Sequence, residues 1–282
     1  MQRIDAHQHF WIFDPVRDSW ISEHMAAIRR DFLPGDLAPL LKENKMDGCI
    51  AVQADQSLEE TDFLLKLASK NSFIKGVVGW TDLKSPLLEQ TLRQYKGQAM
   101  LKGFRHILQG ETDLKSFLAD GSFEQGVATV LNGGYTYDLL VYHHQIEDIL
   151  PLVDRLCRQQ DCRLVLDHIG KPDLKAGQLQ DWQNNILRLA AHKAVYCKVS
   201  GLVTEADWNH WKADDLRAAL DTVLEAFGPE RLMFGSDWPV CLLAVSYGKW
   251  VALLTEYFAP LSKQQKEEIF GGNAARFYGI EI

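Results

Sequence analysis

Eight short runs rich in β-branched and other apolar residues recur along the 282-residue chain and alternate with amphipathic stretches. Short apolar runs without strict polar alternation are typical of parallel strands that are buried on both faces. The predicted strands cover residues 3–7, 48–54, 74–80, 100–107, 136–142, 163–169, 195–201 and 231–237. Eight strands that alternate with helices predict an α/β fold of the (β/α)8 barrel type.

Helical periodicity fills the segments between these strands. The predicted helices cover residues 34–45, 57–70, 85–95, 122–132, 146–159, 179–192 and 214–227. Ser57 followed by Glu60 predicts a capping box at the start of the second helix. A doubly wound sheet is the alternative, but no G-x-G-x-x-G follows any predicted strand. With no internal repeat and no long linker, we expect residues 1–282 to form one barrel domain.

The composition excludes several classes of protein. A formal charge of −8 and an isoelectric point near 5.6, without a basic run, argue against a nucleic-acid partner. No stretch approaches the roughly 18 uninterrupted apolar residues of a membrane-spanning helix, and polar residues interrupt the N-terminus where a signal peptide would be apolar. The five cysteines are scattered, which predicts free thiols in a reducing compartment. We therefore expect a cytoplasmic enzyme without a membrane partner; the sequence leaves the oligomeric state open.

Polar side chains lie at the predicted carboxyl ends of the strands, where enzymes with this fold build their active sites. His7 and His9 end the first strand and, two residues apart, project both imidazoles to one face. Six of the nine histidines lie at such strand ends. Alone, each residue has an ordinary structural interpretation, such as a core histidine or a helix-capping Asp237. The candidate site residues, which one barrel rim would collect, are His7, His9, Gln53, Trp80, Arg105, His143, His168 and Asp237.

Three imidazoles and a carboxylate that converge on a barrel mouth have a defined chemistry. His7, His9, His168 and Asp237 could hold one divalent metal such as Zn²⁺, with a ligand position left for water or substrate. The metal would polarise a carbonyl group, and Asp237 would take a proton from water as the general base. Nucleophilic-serine chemistry has less support, because the sequence contains no G-x-S-x-G motif.

The chain closely resembles the amidohydrolase superfamily, in its amidohydrolase-2 group of TIM-barrel hydrolases. The motifs that carry the resemblance are DAHQHFW (5–11), RRDFLPGDLAPLL (29–41), GFRH (103–106), LVLDHIGKP (164–172), GSDWP (235–239) and GGNAARFYGI (271–280). Within the group the chain is most similar to sugar-acid lactonases of the L-fuconolactonase and L-rhamnonolactonase type, with dicarboxylate lactonases as more distant relatives. The resemblance implies a hydrolase that acts on a cyclic ester.

The resemblance also implies roles for individual residues. The three histidines of the candidate metal set would surround the scissile carbonyl or its metal, Asp237 would activate water, and Arg105 would orient the polar end of the substrate. Relatives with two metals use a bridging lysine or glutamate near the fourth strand, where this chain reads F-R-H. One metal or none is therefore expected. Because a lactone is a reactive ester, a metal-free site whose imidazoles donate hydrogen bonds to the oxyanion is the alternative.

The side chains near the predicted rim indicate the class of substrate. A neutral, hydroxyl-rich sugar lactone suits a wall of aromatic and amide side chains better than an arginine cluster. The rim and the irregular segment 10–33, a predicted wall of the pocket, supply Trp11, Trp20, Gln53, Trp80, Tyr142 and Trp238. The predicted substrate-binding set is Gln53, Trp80, Arg105 and His143. We expect hydrolysis of an aldonolactone, of the 6-deoxy sugar type, to its open-chain acid; the alternatives are a metal-dependent decarboxylase, a dicarboxylate lactonase and a binding protein without catalysis.

Overall fold

The computed structural model describes residues 2–158 and 162–281. Eight parallel strands form one sheet in chain order: β1 (Ile4–Gln8), β2 (Gly48–Val52), β3 (Ile74–Gly79), β4 (Leu101–His106), β5 (Thr136–Leu139), β6 (Leu164–Leu166), β7 (Val195–Val199) and β8 (Leu232–Phe234). Each strand pairs in parallel with the next one along the chain. The sheet curls into a nearly closed barrel, and the predicted (β/α)8 fold is confirmed.

Helices surround the barrel within the described part of the chain. They are α1 (Pro34–Glu43), α2 (Leu58–Ala68), α3 (Leu88–Gln94), α4 (Leu114–Leu118), α5 (Ser122–Asn132), α6 (Ile146–Leu156), α7 (Gln180–Ala190), α8 (Ala213–Phe227), α9 (Tyr247–Tyr257), α10 (Lys263–Glu267) and α11 (Asn273–Tyr278). Seven match predicted helices, whereas α4 and α9 to α11 have no predicted counterpart. The predicted end of the fifth helix at residue 159 lies outside the described residues. No helix in the described ranges is long and apolar enough to cross a bilayer.

The start of α2 differs from the predicted capping box. Ser57 Oγ accepts a hydrogen bond of 3.1 Å from the N–H of Glu60, as predicted. The Glu60 carboxylate does not return this bond; it accepts instead from the N–H of Ala54 at 2.9 Å, just after β2. Glu60 is only 6% exposed there, and burial raises the pKa of its carboxyl to about 7. The residue therefore ties a helix to a strand end rather than completing the cap.

The register of β1 contains one irregularity that matters for the site. Asp5 pairs with Cys49 and Gln8 with Ala51, so β1 has one residue more than β2 between these pairs, as in a β-bulge. Before the shift, Ala6 packs in the small apolar cluster inside the barrel, which also contains Ile4, Ile50, Val52, Val78, Val165 and Met233. Asp5 faces the outer helices, where its carboxylate accepts from Tyr247 Oη at 3.1 Å. Because β1 has this extra residue, the side chain of His7 points into the barrel, as that of Ala6 does.

Candidate active site

The first and last strands meet through residues that follow β8. The N–H of His9 donates to the carbonyl of Trp238 at 2.7 Å, and the N–H of Asp237 donates to the carbonyl of His7 at 2.8 Å. Asp237 has a φ of 57°, a left-handed conformation that is uncommon for a residue with a Cβ atom. Closure of the barrel therefore fixes the Asp237 carboxylate beside the two histidines of β1.

His9 turns its Nε2 atom toward this carboxylate. Its Nδ1 atom lies 2.8 Å from the carbonyl oxygen of Val52. Because a carbonyl only accepts, Nδ1 carries a proton and donates it to Val52. That Nε2 atom lies 3.3 Å from Oδ1 of Asp237 and 3.2 Å from Nε2 of His7. The three atoms lie close enough to share a proton or a cation.

His168 begins a turn of four residues whose backbone is left-handed. The φ angles of His168, Ile169, Gly170 and Lys171 are 53°, 48°, 73° and 48°, and the N–H of Lys171 donates to the carbonyl of His168 at 2.9 Å. Residues with a Cβ usually visit this region singly, so neighbouring contacts must hold the turn. One is the ring N–H of Trp182, which donates to the carbonyl of Ile169 at 2.8 Å. Backbone strain of this kind concentrates at functional sites.

Two neighbours fix the imidazole of His168. Its Nδ1 atom lies 2.9 Å from Ser200 Oγ, and Gly201 is so close that a Cβ atom there would lie 2.6 Å from Nδ1. Nε2 is thereby turned toward Asp237, with Oδ1 at 4.0 Å. Burial lowers the pKa of His168 and of His7 well below the ordinary value, so both rings are neutral and keep a lone pair.

The donor set fits one divalent cation. One nitrogen each from His7 and His168 and one oxygen from Asp237 lie within 4.8 Å of one another, and all three residues are buried. Burial alone would raise the pKa of Asp237, but the neighbouring His168 and the hydrogen-bonding partner His9 outweigh it and lower that pKa. Neutral imidazoles and an ionised carboxylate are ligands that zinc accepts readily. The predicted metal set thus converges, with His9 adjoining the tightest three.

A buried network of charges supports His7 from within the barrel. Asp167 accepts from Arg105 at 3.0 Å and lies 2.9 Å from Nζ of Lys198. Lys198 also pairs with Asp138 and lies 3.2 Å from Nδ1 of His7. Two cations balance two carboxylates, as buried charges require. The strand-end positions of Asp167 and Lys198 are visible in the sequence, but their pairing is not, because it depends on contacts across the barrel.

Arg105 and Gln53, two of the predicted substrate-binding residues, bind each other. The Arg105 guanidinium donates to the main-chain carbonyl and, at 3.1 Å, to the side-chain oxygen of Gln53. Gln53 is fully buried. Arg105 borders the cavity that is also lined by His9, His168 and Asp237, whereas Gln53 is not part of that wall and instead holds the arginine.

The other two predicted substrate-binding residues lie away from the cavity wall. The Trp80 ring N–H donates to Nδ1 of His106 at 3.4 Å. His143 places Nδ1 3.0 Å from the carbonyl of Lys171, and together with His144 it borders a separate surface cavity. Trp80 and His143 therefore contact neighbouring side and main chains rather than the cavity lined by His168 and Asp237.

A cavity of about 500 Å³ opens over the histidines at the carboxyl ends of the strands. The segment 10–33 contributes Trp11, Trp20 and Met25 to its wall, in agreement with the predicted role of this segment. Trp238 is buried instead against Phe10 and Phe32. One part of the wall was not predicted from the sequence. It is formed by Thr204, Glu205 and Trp208, which lie in the stretch after β7, where the sequence contains no motif.

Comparisons with known proteins identify the family of the chain. The family model described as amidohydrolase (Amidohydro_2) matches residues 4–280. An L-fucono-1,5-lactonase of Burkholderia multivorans is 46% identical over 290 residues, which cover 99% of this chain and 96% of that protein. A protein of the same name from Burkholderia ambifaria is 36% identical, with the same coverage of 99% and 96%. A crystal structure of an amidohydrolase from Burkholderia multivorans with bound zinc has a TM-score of 0.95 at 43% identity and covers 100% of both chains. The chain therefore belongs to the amidohydrolase family.

Proposed function

We propose that this chain hydrolyses a sugar-acid lactone of the L-fucono-1,5-lactone type to the open-chain sugar acid. The observation that carries the proposal is the Asp237 carboxylate, held among three histidines at the base of a cavity of small-molecule size. Two relatives that align over 99% of the chain are named L-fucono-1,5-lactonase. Neither of these two relatives is named as a decarboxylase, so the decarboxylase alternative is not favoured.

Asp237 is the proton carrier in this proposal. Its ionised carboxylate takes a proton from the water that attacks the lactone carbonyl. When the ester C–O bond breaks, Asp237 returns the proton to the ring oxygen, which becomes a hydroxyl group of the acid. The carboxylate is then ready for another cycle. The left-handed backbone at Asp237 and its bond to His7 keep the carboxylate aligned throughout.

The imidazoles act on the carbonyl side of the substrate. A divalent cation such as zinc would be held by His7, His168 and Asp237, and would supply Lewis-acid polarisation of the lactone carbonyl. The crystal structure with bound zinc, whose chain is 43% identical to this one, supports this assignment over the metal-free alternative.

The charges of the cavity wall favour a neutral lactone over a dicarboxylate. Arg105 is paired with Asp167, and Lys171 is paired with Glu205. Among the described residues of the wall, both of the basic side chains are therefore already neutralised. The tryptophans of the wall offer apolar faces for a sugar ring.

Turnover of a small lactone panel tests the proposal. We expect the purified chain to release acid from L-fucono- and L-rhamnonolactones, followed with a pH indicator, and to act poorly on 2-pyrone-4,6-dicarboxylate. A correctly folded chain that hydrolyses none of the sugar lactones would contradict the proposal. Release of CO₂ from an aromatic carboxylate would favour the decarboxylase alternative.

A further inference from the structure

The cavity wall contains an ion pair that the hydrolysis step leaves unused. Nζ of Lys171 lies 3.1 Å from Oε1 of Glu205, and their side chains are 16% and 20% exposed. Lys171 also lies over the ring of Tyr142, with Nζ 5.3 Å from its centroid. Both members of the pair border the same cavity as His168 and Asp237. Accessible polar atoms are therefore held next to the reacting centre.

We propose that the Lys171–Glu205 pair is a subsite that recognises hydroxyl groups of the lactone and selects polyhydroxylated, uncharged rings. The proposal rests on the proposed function, because it places the scissile carbonyl at His168 and Asp237. It assigns the two residues to substrate selection and not to proton transfer.

The left-handed turn fixes this subsite relative to the reacting carbonyl. In a turn closed by a hydrogen bond between residues i and i+3, those two residues project to the same side. His168 and Lys171 occupy these positions, and both border the cavity. Trp182 holds the carbonyl of Ile169, and His143 holds the carbonyl of Lys171. His143, which was predicted to bind the substrate, thus contacts the main chain of Lys171 and does not itself line the cavity.

The Lys171–Glu205 pair can both donate a hydrogen bond to a hydroxyl group and accept one from it. A hydroxyl group accepts a hydrogen bond from an ammonium group and donates one to a carboxylate. Both bonds involve a charged partner and are stronger than bonds between neutral groups. A carboxylate at the same position would gain from Lys171 but be repelled by Glu205. The pair therefore favours hydroxyl groups over carboxylate groups on the ring.

A comparison of two lactones tests the selection directly. L-Fucono-1,5-lactone and δ-valerolactone share a six-membered ester ring, but δ-valerolactone has no hydroxyl groups. We expect Lys171→Met and Glu205→Gln to lower kcat/KM for L-fucono-1,5-lactone about 10- to 100-fold, mainly through KM. For δ-valerolactone the change should stay below about threefold. An equal loss on both lactones, or no loss on either, would overturn the proposal.

Lys115→Met is the matched control. Lys115 also forms an ion pair, with Asp148 at 3.4 Å, but its side chain is 80% exposed and lies outside the cavity wall. This variant should hydrolyse both lactones like the wild type. Melting temperatures of all variants identify any loss that comes from unfolding.

A binding measurement separates the subsite from the catalytic proposal. The 1,5-lactam analogue of the sugar carries the same hydroxyl groups, and its amide resists hydrolysis. By calorimetry we expect the wild type and Lys115→Met to bind it equally, and the two subsite variants to bind about tenfold or more weakly. If the wild type hydrolyses lactones but lactam affinity is the same in all variants, the subsite is wrong and the function stands. If lactam affinity falls as expected but no lactone is hydrolysed, the subsite stands and the function is wrong.

Discussion

The main-chain N–H of Asp237 donates a hydrogen bond of 2.8 Å to the carbonyl oxygen of His7. The side chains of the same two residues face each other, with Nε2 of His7 3.9 Å from Oδ1 of Asp237. The bond lies on the seam between the first and last strands of the barrel. The same hydrogen bond therefore closes the barrel and aligns the candidate base, Asp237, with His7 and His9.

Asp237→Asn tests the role of the base. Asparagine keeps the size of the side chain and the main-chain bond to His7, but it cannot take a proton from water. We expect kcat for L-fucono-1,5-lactone to fall about 10²- to 10⁴-fold, with an unchanged circular dichroism spectrum. Asp214→Asn, at a carboxylate whose side chain is 91% exposed, is the control and should retain full activity. A near-normal kcat in Asp237→Asn would remove this residue from the base role.

The zinc content of the purified protein tests whether His7, His168 and Asp237 bind a metal. After dialysis against zinc, we expect the wild type to retain about one equivalent per chain. His168→Asn should retain far less, whereas His210→Asn, at a side chain that is 81% exposed, should retain the same amount as the wild type. Equal zinc content in all three proteins would contradict the assigned ligands. Activity before and after chelation then distinguishes polarisation by the metal from polarisation by the imidazoles.

Gly201→Ala tests the packing of His168. Gly201 has a φ of 67° and Gly177 a φ of 68°, so alanine should lower the free energy of unfolding by about 1–2 kcal/mol at either position. At Gly201 the new Cβ would also displace the His168 ring, whereas Gly177 has no atom within 4 Å of such a Cβ. We expect Gly201→Ala to lower kcat/KM at least about tenfold and Gly177→Ala to leave it unchanged. Equal activities in the two variants would show that Gly201 does not position the ring.

Glu60 predicts a dependence of stability on pH. Burial raises the pKa of its carboxyl from 4.5 to about 7 in the folded chain. The folded state therefore binds more protons than the unfolded state between these values, and the contribution of Glu60 to stability decreases as the pH rises through this window.

Glu60→Gln removes this titration and keeps an acceptor for Ala54. Between pH 5 and 8, the free energy of unfolding of the variant relative to the wild type should increase by about 2 kcal/mol. Urea unfolding at the two pH values measures this change. Glu59→Gln, on the exposed side of the same helical turn, should show no such change. If the free energies of unfolding of Glu60→Gln and the wild type differ by the same amount at both pH values, the raised pKa of Glu60 is contradicted.

The barrel and the centre of the site could be predicted because both depend on local patterns. Short β-branched runs mark the strands, and parallel strands end at one rim, so the sequence alone predicts that His168 and Asp237 lie near His7 and His9. The predicted strand 163–169 is wrong at its end: β6 stops at Leu166, and Ile169 is left-handed despite its β propensity. Tertiary contacts override local preference there.

Other parts of the site could not be predicted, because they depend on contacts between distant segments. Asp167 follows the end of β6 and Lys198 lies on β7, and only the folded barrel brings their charges together. Glu205 lies in an irregular stretch and gains significance only when Lys171 lies beside it. Trp80 and His143, which were predicted to bind the substrate, follow the ends of β3 and β5 and turn to His106 and to the carbonyl of Lys171 instead of the cavity. The direction of a side chain beyond a strand end depends on the turn that follows, which the sequence pattern does not show.

The register shift in β1 sets the depth of the two histidines in the candidate site. Because β1 uses one residue more than β2 over the same stretch, His7 and His9 lie one register step, about 3.3 Å, closer to the amino end of the barrel than regular pairing would place them. Loss of this one residue would also turn both imidazoles to the opposite face of the sheet, toward the outer helices. A single inserted residue therefore decides whether the first strand can contribute to a site at the barrel mouth at all.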